Sequence, residues 1–562
     1  MITTGARVLA EMLDGYGVTH VFHVPAILRR TMVEIEARTG IKRIRPHGEK
    51  PAAYMADGYA RASGRPGICM AQVIGAQNLA AGLRDAYLAH SPVIAFTGGR
   101  DPRTKFRHVY QEVDDLPSFD TVTKFNGTID AVERIPDLLR QAFRVAVSGS
   151  PGPVHLQFAG NEGQIDQEEA DLEVLWDERF ARVPPFRPAA SDTDLNAALG
   201  LIEGAERPVL VAGGGVRASG GSAALVGLAE LLNIPVATSL NGKDTIPGTH
   251  PLSVGVVGTY SRASANQVVG ESDLVVFIGT NTGGMTTHLW QVPPIGRRAI
   301  QIDIDPEELG RNYPLEMAIQ ADARTVLLRM AELTKRATDP QNTIDRRKLW
   351  RDHAASVAAA WRSEWRHRTD SDAVPLRPER ISADLTRLVP DDAIVVVDTG
   401  HAGMWMGGFY DVRVATQSYI RSAGHLGWAF PASIGAKCAS PERPVVCFTG
   451  DSGLWYHIAE IETAVRFGIN TITVVNDNHS GNQSMRGFDR AYGGQQTEQA
   501  KELWVFTEVD FARIAEDIGA VGIRVEKPGQ LEPAIERALE ANQPVVIDVV
   551  TEIEAVAPAP VL

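Results

Sequence analysis

Cysteine is scarce in this chain of 562 residues: Cys69, Cys438 and Cys447 occur, none of them in a CxxC pair. Three thiols at such spacings exclude a disulfide framework, and their apolar surroundings mark them as small core residues. Long hydrophobic runs are missing too, since no stretch approaches the roughly 20 residues that cross a bilayer. The first segment, MITTGARVLAEMLDGYGV, has the period of an amphipathic helix and no signal-peptide core, so the cytoplasm is the expected compartment. An excess of positive charge is likewise absent. With 55 Lys and Arg against 69 Asp and Glu, the net charge of −14 argues against a nucleic-acid or anionic-membrane surface, which needs clustered Lys and Arg. A local basic pocket for phosphates stays compatible with it.

What is present is ordinary globular composition, 44% apolar and 22% charged, in a chain long enough for about three or four domains. Two proline-rich stretches punctuate it, ARVPPFRPAASD and the polar region from Lys335 to Pro378. They divide the chain into residues 1–180, 190–335 and 377–550, with a linker at 336–376 and a tail at 551–562. Each block alternates short β-branched runs with helical patterns. The runs are GICMAQVI and SPVIAFTGG in the first block, and RPVLVAGGG, IPVATSL, DLVVFIGT and AIQIDID in the second. The third carries AIVVVDTG, PVVCFTGDS, NTITVVND and QPVVIDVV. Near-continuous apolar strands alternating with helices predict an α/β protein of three domains, each a mainly parallel sheet covered by helices on both faces. Such sheets bind ligands beyond the carboxyl ends of their strands.

The strongest local pattern is PVVCFTGDSGLWYHIAEIETAVRFGINTITVVNDNHSGN. A strand ends in Gly450-Asp451-Ser452-Gly453. A single helix is then expected, because Leu454, Ile458, Ile461 and Val465 share one helical face. The next strand ends at Asn476-Asp477-Asn478, so Asp451 and Asn478 sit at adjacent strand ends. A magnesium ion takes six oxygens, usually one or two protein carboxylates plus substrate phosphates. Asp451, the Asn478 side chain and the Ser480 carbonyl can supply three of them. Gly450 and Gly453 allow close approach of a diphosphate, and the helix N-terminus favours its charge. The same residues also make an ordinary turn and helix cap.

This segment resembles the GDG…N signature of thiamine diphosphate enzymes, in the branch of acetolactate synthase, benzoylformate decarboxylase and benzaldehyde lyase, with Ser452 in place of the second glycine. The resemblance implies that Asp451, Asn478 and the Ser480 carbonyl hold magnesium. It also implies that IRPHGEKPAAYMADGYAR carries the activating glutamate, Glu49. That carboxyl would share a proton with the pyrimidine N1′ of the cofactor, and the 4′-imino nitrogen would then take the thiazolium C2 proton. Without the resemblance, Glu49 reads as a solvated residue at a helix start.

The remaining segments match more loosely. HVFHVPAI is similar to the family's VFGxPG loop, which puts Ile27 opposite the reacting carbon. QVIGAQN keeps Gly75 and Asn78 of SGPGxTN. YQEVDDLPSFDTVTK offers Gln111 as a polar contact to intermediates, beside Tyr110. DTGHAGMWMGGF resembles the diphosphate-cradling loop, with Gly400 and His401. In RSAGHLGWAFPASIGAK, the Gly424 carbonyl would hold the 4′-amino group and Leu426 would wedge the cofactor into its bent shape. His425 replaces a small residue beside both, and is a candidate for acid–base work or substrate contact. The central block, with QIDIDPEELGRN, is similar to the domain that binds FAD in acetolactate synthases and an ADP moiety in oxalyl-CoA decarboxylases. Here GTNTGGMTTHLW replaces their arginine-bearing loop.

The resemblance therefore implies thiamine diphosphate and Mg²⁺ as cofactors, with FAD or ADP as a further option in the central domain. It implies a homodimer or homotetramer whose sites join Glu49 of one chain to Asp451 of another. The expected activity is that of a 2-oxo acid decarboxylase or carboligase, with a 2-hydroxyacyl-CoA lyase or oxalyl-CoA decarboxylase as the alternative. A non-catalytic, cofactor-binding regulatory paralogue is the option from another class, and the retained Glu49 counts against it.

Overall fold

The computed structural model describes residues 2–337 and 340–558, so positions 338–339 of the expected linker and the last four of the expected tail lie outside the described residues. Among the described residues, the strands form three six-stranded sheets, and a two-stranded antiparallel ribbon pairs Ile2–Thr4 with Glu169–Asp171. Every pair within the large sheets is parallel. Their inner strands, such as Pro208–Ala212, Leu274–Ile278 and Ile394–Val397, are buried along their whole length. That is what a parallel sheet with both faces covered requires, and why these strands read as unbroken apolar runs. The expected fold class is the one observed.

Numbering the strands of each sheet in chain order, the central sheet runs 3-2-1-4-5-6, the doubly wound dinucleotide-binding order. The first and third sheets share another order, 2-1-3-4-6-5. Each has one point where the winding reverses. In the first sheet it lies between His20–His23 and Gly67–Ala71, and in the third between Ile394–Val397 and Val445–Gly450. Loops splay apart there and leave a crevice at the strand ends. Ile27, Gly75, Gly400 and Asp451 all follow these four strands.

Within the stretch 336–376, read from sequence as a linker, Pro340–Thr369 is a helix of 30 residues. It straps the central sheet to the third: Trp350 Nε1 donates to Pro208 O at 2.8 Å, and Arg362 pairs with Asp411 at 2.6 Å. Its polar composition hid it, because among its described side chains only Arg347, Trp350, Ala354 and Trp361 are buried. The described part of the tail is packed. Ala555 and Ala557 pack with Trp361, Trp405 and Phe409, while Asn482 Nδ2 donates to Ile553 O and Ala555 O.

The helix expected after Asp451 is also broken, into Asp451–Trp455 and Glu460–Phe467. The second piece restarts at buried Glu460, whose carboxylate accepts from His47 N at 3.0 Å and from Thr463 Oγ1 at 2.7 Å. The first and third sheets meet through two helices, Glu49–Ser63 and Ala429–Ala439. Glycines let them touch backbone to backbone, since a Cβ on Gly58 would strike the Ala432 carbonyl and one on Gly435 the Met55 carbonyl.

Candidate active site

At the switch point of the third sheet, Asp398 ends its strand fully buried. It accepts from Thr399 N at 2.8 Å, Gly427 N at 3.1 Å and Thr449 Oγ1 at 3.0 Å. One carboxylate thus ties three loops together, and burial raises its pKa to about 7. Gly453 has no side chain because a Cβ there would sit 2.6 Å from Asp398 Oδ2. Gly400 adopts φ 66°, and a Cβ on it would collide with Gln483. Next to it, His401 Nδ1 lies 2.8 Å from Asn482 Oδ1.

Asp451, Asn478 and Ser480 come together as the sequence implied. Asp451 Oδ2 and Asn478 Oδ1 both accept from Ser480 N, at 2.8 and 3.1 Å. Ser452 N donates to Asp451 Oδ1 at 2.8 Å, and Ser452 Oγ lies 3.5 Å from the Ser480 carbonyl. His479 is held at φ 54°, which bends the loop back over Asp451. All three candidate ligands are at least 95% buried. Burial lifts the Asp451 carboxyl to about 7, against the pull of the Ser452 and Ser480 amides. Asp451 is the one charged member of this set, and no cluster of three or more His, Cys, Asp or Glu among the described residues could hold a metal. Oxygen donors with a single buried carboxylate suit a hard cation that also takes phosphate oxygens.

In the first sheet, Glu49 opens its helix, and the sequence brings two of its expected neighbours to it. Asn78 Nδ2 donates to Glu49 Oε2 at 3.2 Å. A Cβ on Gly75 would stand 2.5 Å from Glu49 Oε1, so only glycine leaves room for the carboxylate. Gln72 Nε2 reaches Gln111 Oε1 at 3.3 Å, and Gln111 has φ 59°. The cavity at Glu49, about 360 Å³, is walled by His47, Lys50, Asn78, Tyr456 and His457, without Asp451, Asn478 or Ser480. The expected pocket residues are not gathered within one chain. Ile27 is 1% exposed in the first sheet's core, Tyr110 is 80% exposed, and His425 lies against Tyr54.

The loop carrying Gly424, His425 and Leu426 is held from the first sheet by Asp85, which sequence reading missed. Its carboxylate accepts from Ala423 N at 2.9 Å, Gly424 N at 3.2 Å, His425 N at 3.1 Å and Ser422 Oγ at 2.8 Å. Arg61 pairs with it at 2.7 Å and with Asp57 at 2.6 Å, and Trp428 Nε1 donates to Asp57. Burial works against the charge on Asp85, yet Arg61 and the loop amides hold its carboxyl below the ordinary range. The signal was available in Asp57 and Arg61 of ADGYAR, but nothing local pointed to Asp85 as their partner. A second cavity, about 840 Å³, lies at the strand ends of the central sheet, lined by Gly214, Gly215, Asn241, Asp303 and Glu308.

Three family models match this layout in order: the N-terminal thiamine pyrophosphate (TPP) binding domain over residues 3–118, the central domain of TPP enzymes over 195–330, and the C-terminal TPP binding domain over 398–549. The chain belongs to the thiamine pyrophosphate enzyme family, whose members act through thiamine diphosphate on carbon–carbon bonds. Among curated relatives it is similar to the probable acetolactate synthase large subunit of Methanocaldococcus jannaschii, 31% identical over 98% of this chain and 92% of the relative. It is 28% identical to the acetolactate synthase isozyme 3 large subunit of Escherichia coli strain K12, over 98% and 95%. The glyoxylate carboligase of Escherichia coli O157:H7 is 30% identical, over 96% and 92%. No helix among the described residues is long and apolar enough to cross a membrane.

Proposed function

We propose that this chain is a magnesium- and thiamine diphosphate-dependent 2-oxo acid decarboxylase or carboligase of the acetolactate synthase type. It works in the cytoplasm as a homodimer or homotetramer, with domains at 1–180, 190–335 and 377–550. The observation that carries this reading is the split of the site. Glu49, seated between Gly75 and Asn78, belongs to one sheet, and the Asp451–Asn478–Ser480 oxygens belong to another of identical winding.

When bound, thiamine diphosphate supplies the carbon nucleophile that attacks a keto carbon. The protein's own part is binding, orientation and proton placement. Asp451, the Asn478 amide and the Ser480 carbonyl hold magnesium. Gly400, His401, Gly450, Ser452 and Gly453 cradle the diphosphate, their small or amide-bearing positions leaving room for it. Glu49 faces the pyrimidine nitrogen and is placed to share a proton with it. The Gly424 carbonyl and Leu426 fix the ring's orientation, and Asp85 fixes that loop. Tyr110, Gln111 and His425 meet the substrate, from two chains, while Ile27 stays in the first sheet's core.

Purified protein supplied with magnesium and thiamine diphosphate should turn over pyruvate or benzoylformate. Turnover confined to 2-hydroxyacyl-CoA thioesters would replace this reading by the acyl-CoA lyase or decarboxylase one. The central cavity favours keeping that second reading in view, because Asp303 and Glu308 offer acceptors for the ribose of an ADP moiety or of FAD. Calorimetry with ADP and FAD tests it.

A further inference from the structure

The helix that begins with Glu49 carries a second polar group into the junction between the first and third sheets. Tyr54 is 0% exposed, and its hydroxyl lies 2.5 Å from Nδ1 of His425. The two rings meet edge to face, 5.5 Å apart at 82°. On the other side His457 presents its ring edge-on at 5.5 Å, and Lys50 Nζ stands 6.0 Å over the tyrosine ring. We propose that Tyr54 is a positioning residue: its hydroxyl donates to Nδ1 of His425 and locks that imidazole as the neutral Nε2–H tautomer, so that Nε2–H is offered to a substrate oxygen as a hydrogen-bond donor. This rests on the reading that the Gly424–Leu426 loop borders the cofactor.

Donor and acceptor accounting decides the direction. Among the described residues the Tyr54 hydroxyl has no other hydrogen-bond partner. Were Nδ1 the donor, the phenolic O–H would be left buried without an acceptor, the costlier arrangement. An imidazolium would create the same conflict. Burial, followed by the positive charge of Lys50, lowers the His425 pKa, with Arg84 adding to it. Asp85 pulls the other way, but Arg61 already neutralises it at 2.7 Å. A tyrosinate is excluded as well, because burial and the Asp85, Asp398 and Asp57 charges push the phenol far up. His457, held neutral by burial at a pKa of about 3, does not compete for the proton.

The pair is also rigid. His425 N donates to Asp85 at 3.1 Å, the His425 carbonyl lies 3.0 Å from Ser422 Oγ, and Tyr54 sits mid-helix. Nε2 has no partner among the described residues and is not among the buried unpaired atoms, so it faces open space. A neutral imidazole acting as a donor stabilises negative charge on a carbonyl oxygen without transferring a proton.

The test uses full-length protein without cofactor, labelled with ring-15N histidine at pH 8, with His425 assigned by the signals lost in His425→Gln. The wild type should show a proton on Nε2 and a bare, hydrogen-bonded Nδ1. Tyr54→Phe, which keeps the ring, should convert His425 to a mixture of tautomers. With cofactor and a 2-oxo acid, the same variant should lose about tenfold in kcat at unchanged KM. A proton on Nδ1 in the wild type overturns the inference even if the variant does not fold, and so does a Tyr54→Phe spectrum identical to the wild type. A wild type that takes up no thiamine diphosphate, followed by tryptophan quenching, overturns the parent reading and the proposed role with it.

Discussion

The first and third sheets wind their strands in the same order, yet their switch-point loops are finished differently. The third sheet's loops are closed upon themselves. Asp398 ties three of them, and Asp451, Asn478 and Ser480 satisfy one another in a buried cluster. The first sheet's loops stand open. Glu49 has Asn78 as its one side-chain partner among the described residues, and on the loops that follow strands of this sheet Ile74, Phe106 and Tyr110 are 53%, 76% and 80% exposed. Exposed apolar groups gathered on one set of loops mark a surface suited to contact with another surface. On the proposed reading, one half is finished within a chain and the other is covered by a second copy.

Removing a group from the closed half should hurt binding most. Asp451→Ala deletes the charged member of the proposed magnesium set, and thiamine diphosphate affinity measured by calorimetry should fall about a thousandfold, or about 4 kcal/mol. An affinity within threefold of wild type would break the comparison. Removing the acid from the open half should hurt chemistry instead. Glu49→Gln should slow cofactor C2 proton exchange, followed by NMR, by about a hundredfold or more, with magnesium-dependent binding retained. An unchanged exchange rate would favour the non-catalytic paralogue.

The smallest effect concerns stability. His155, in the first sheet, is fully buried, stacked 3.5 Å from Phe119 and bonded to Thr97 and Asn126. Burial lowers its pKa from 6.5 to about 3. The unfolded chain therefore binds the extra proton first, and the contribution is whole above pH 6.5 and lost as pH falls toward 3. Between those limits His155→Gln should reduce the acid dependence of the urea-unfolding free energy by at most about 1.4 kcal/mol per pH unit. Parallel pH profiles for the two proteins would contradict this.

The inner strands were legible and the edges were not. All eight runs read in the central and third blocks are inner strands of their sheets, buried and so written mainly in apolar residues. The six edge strands, Lys42–Ile44, Phe125–Ile129, Ser253–Val256, Met317–Gln320, Ser418–Arg421 and Val521–Val525, escaped notice. Most are short or mixed with polar residues, as edges tend to be. Short-range motifs pointed to Asp451, Asn478 and Ser480, and to Glu49, Gly75 and Asn78, and the fold brings each of these two sets together. Asp85, Asp398 and Tyr54 were missed because their partners lie up to 371 positions away in the chain, and no local spacing encodes that meeting.

The central claim is that the open half of one chain completes the closed half of another. Glu49→Gln and Asp451→Asn chains, each inactive alone, should regain about a quarter of wild-type activity when co-expressed under two affinity tags. Half of the dimers are then hybrid, and each hybrid holds one intact site. Isolated hybrid dimers that stay as inactive as either parent would contradict the account.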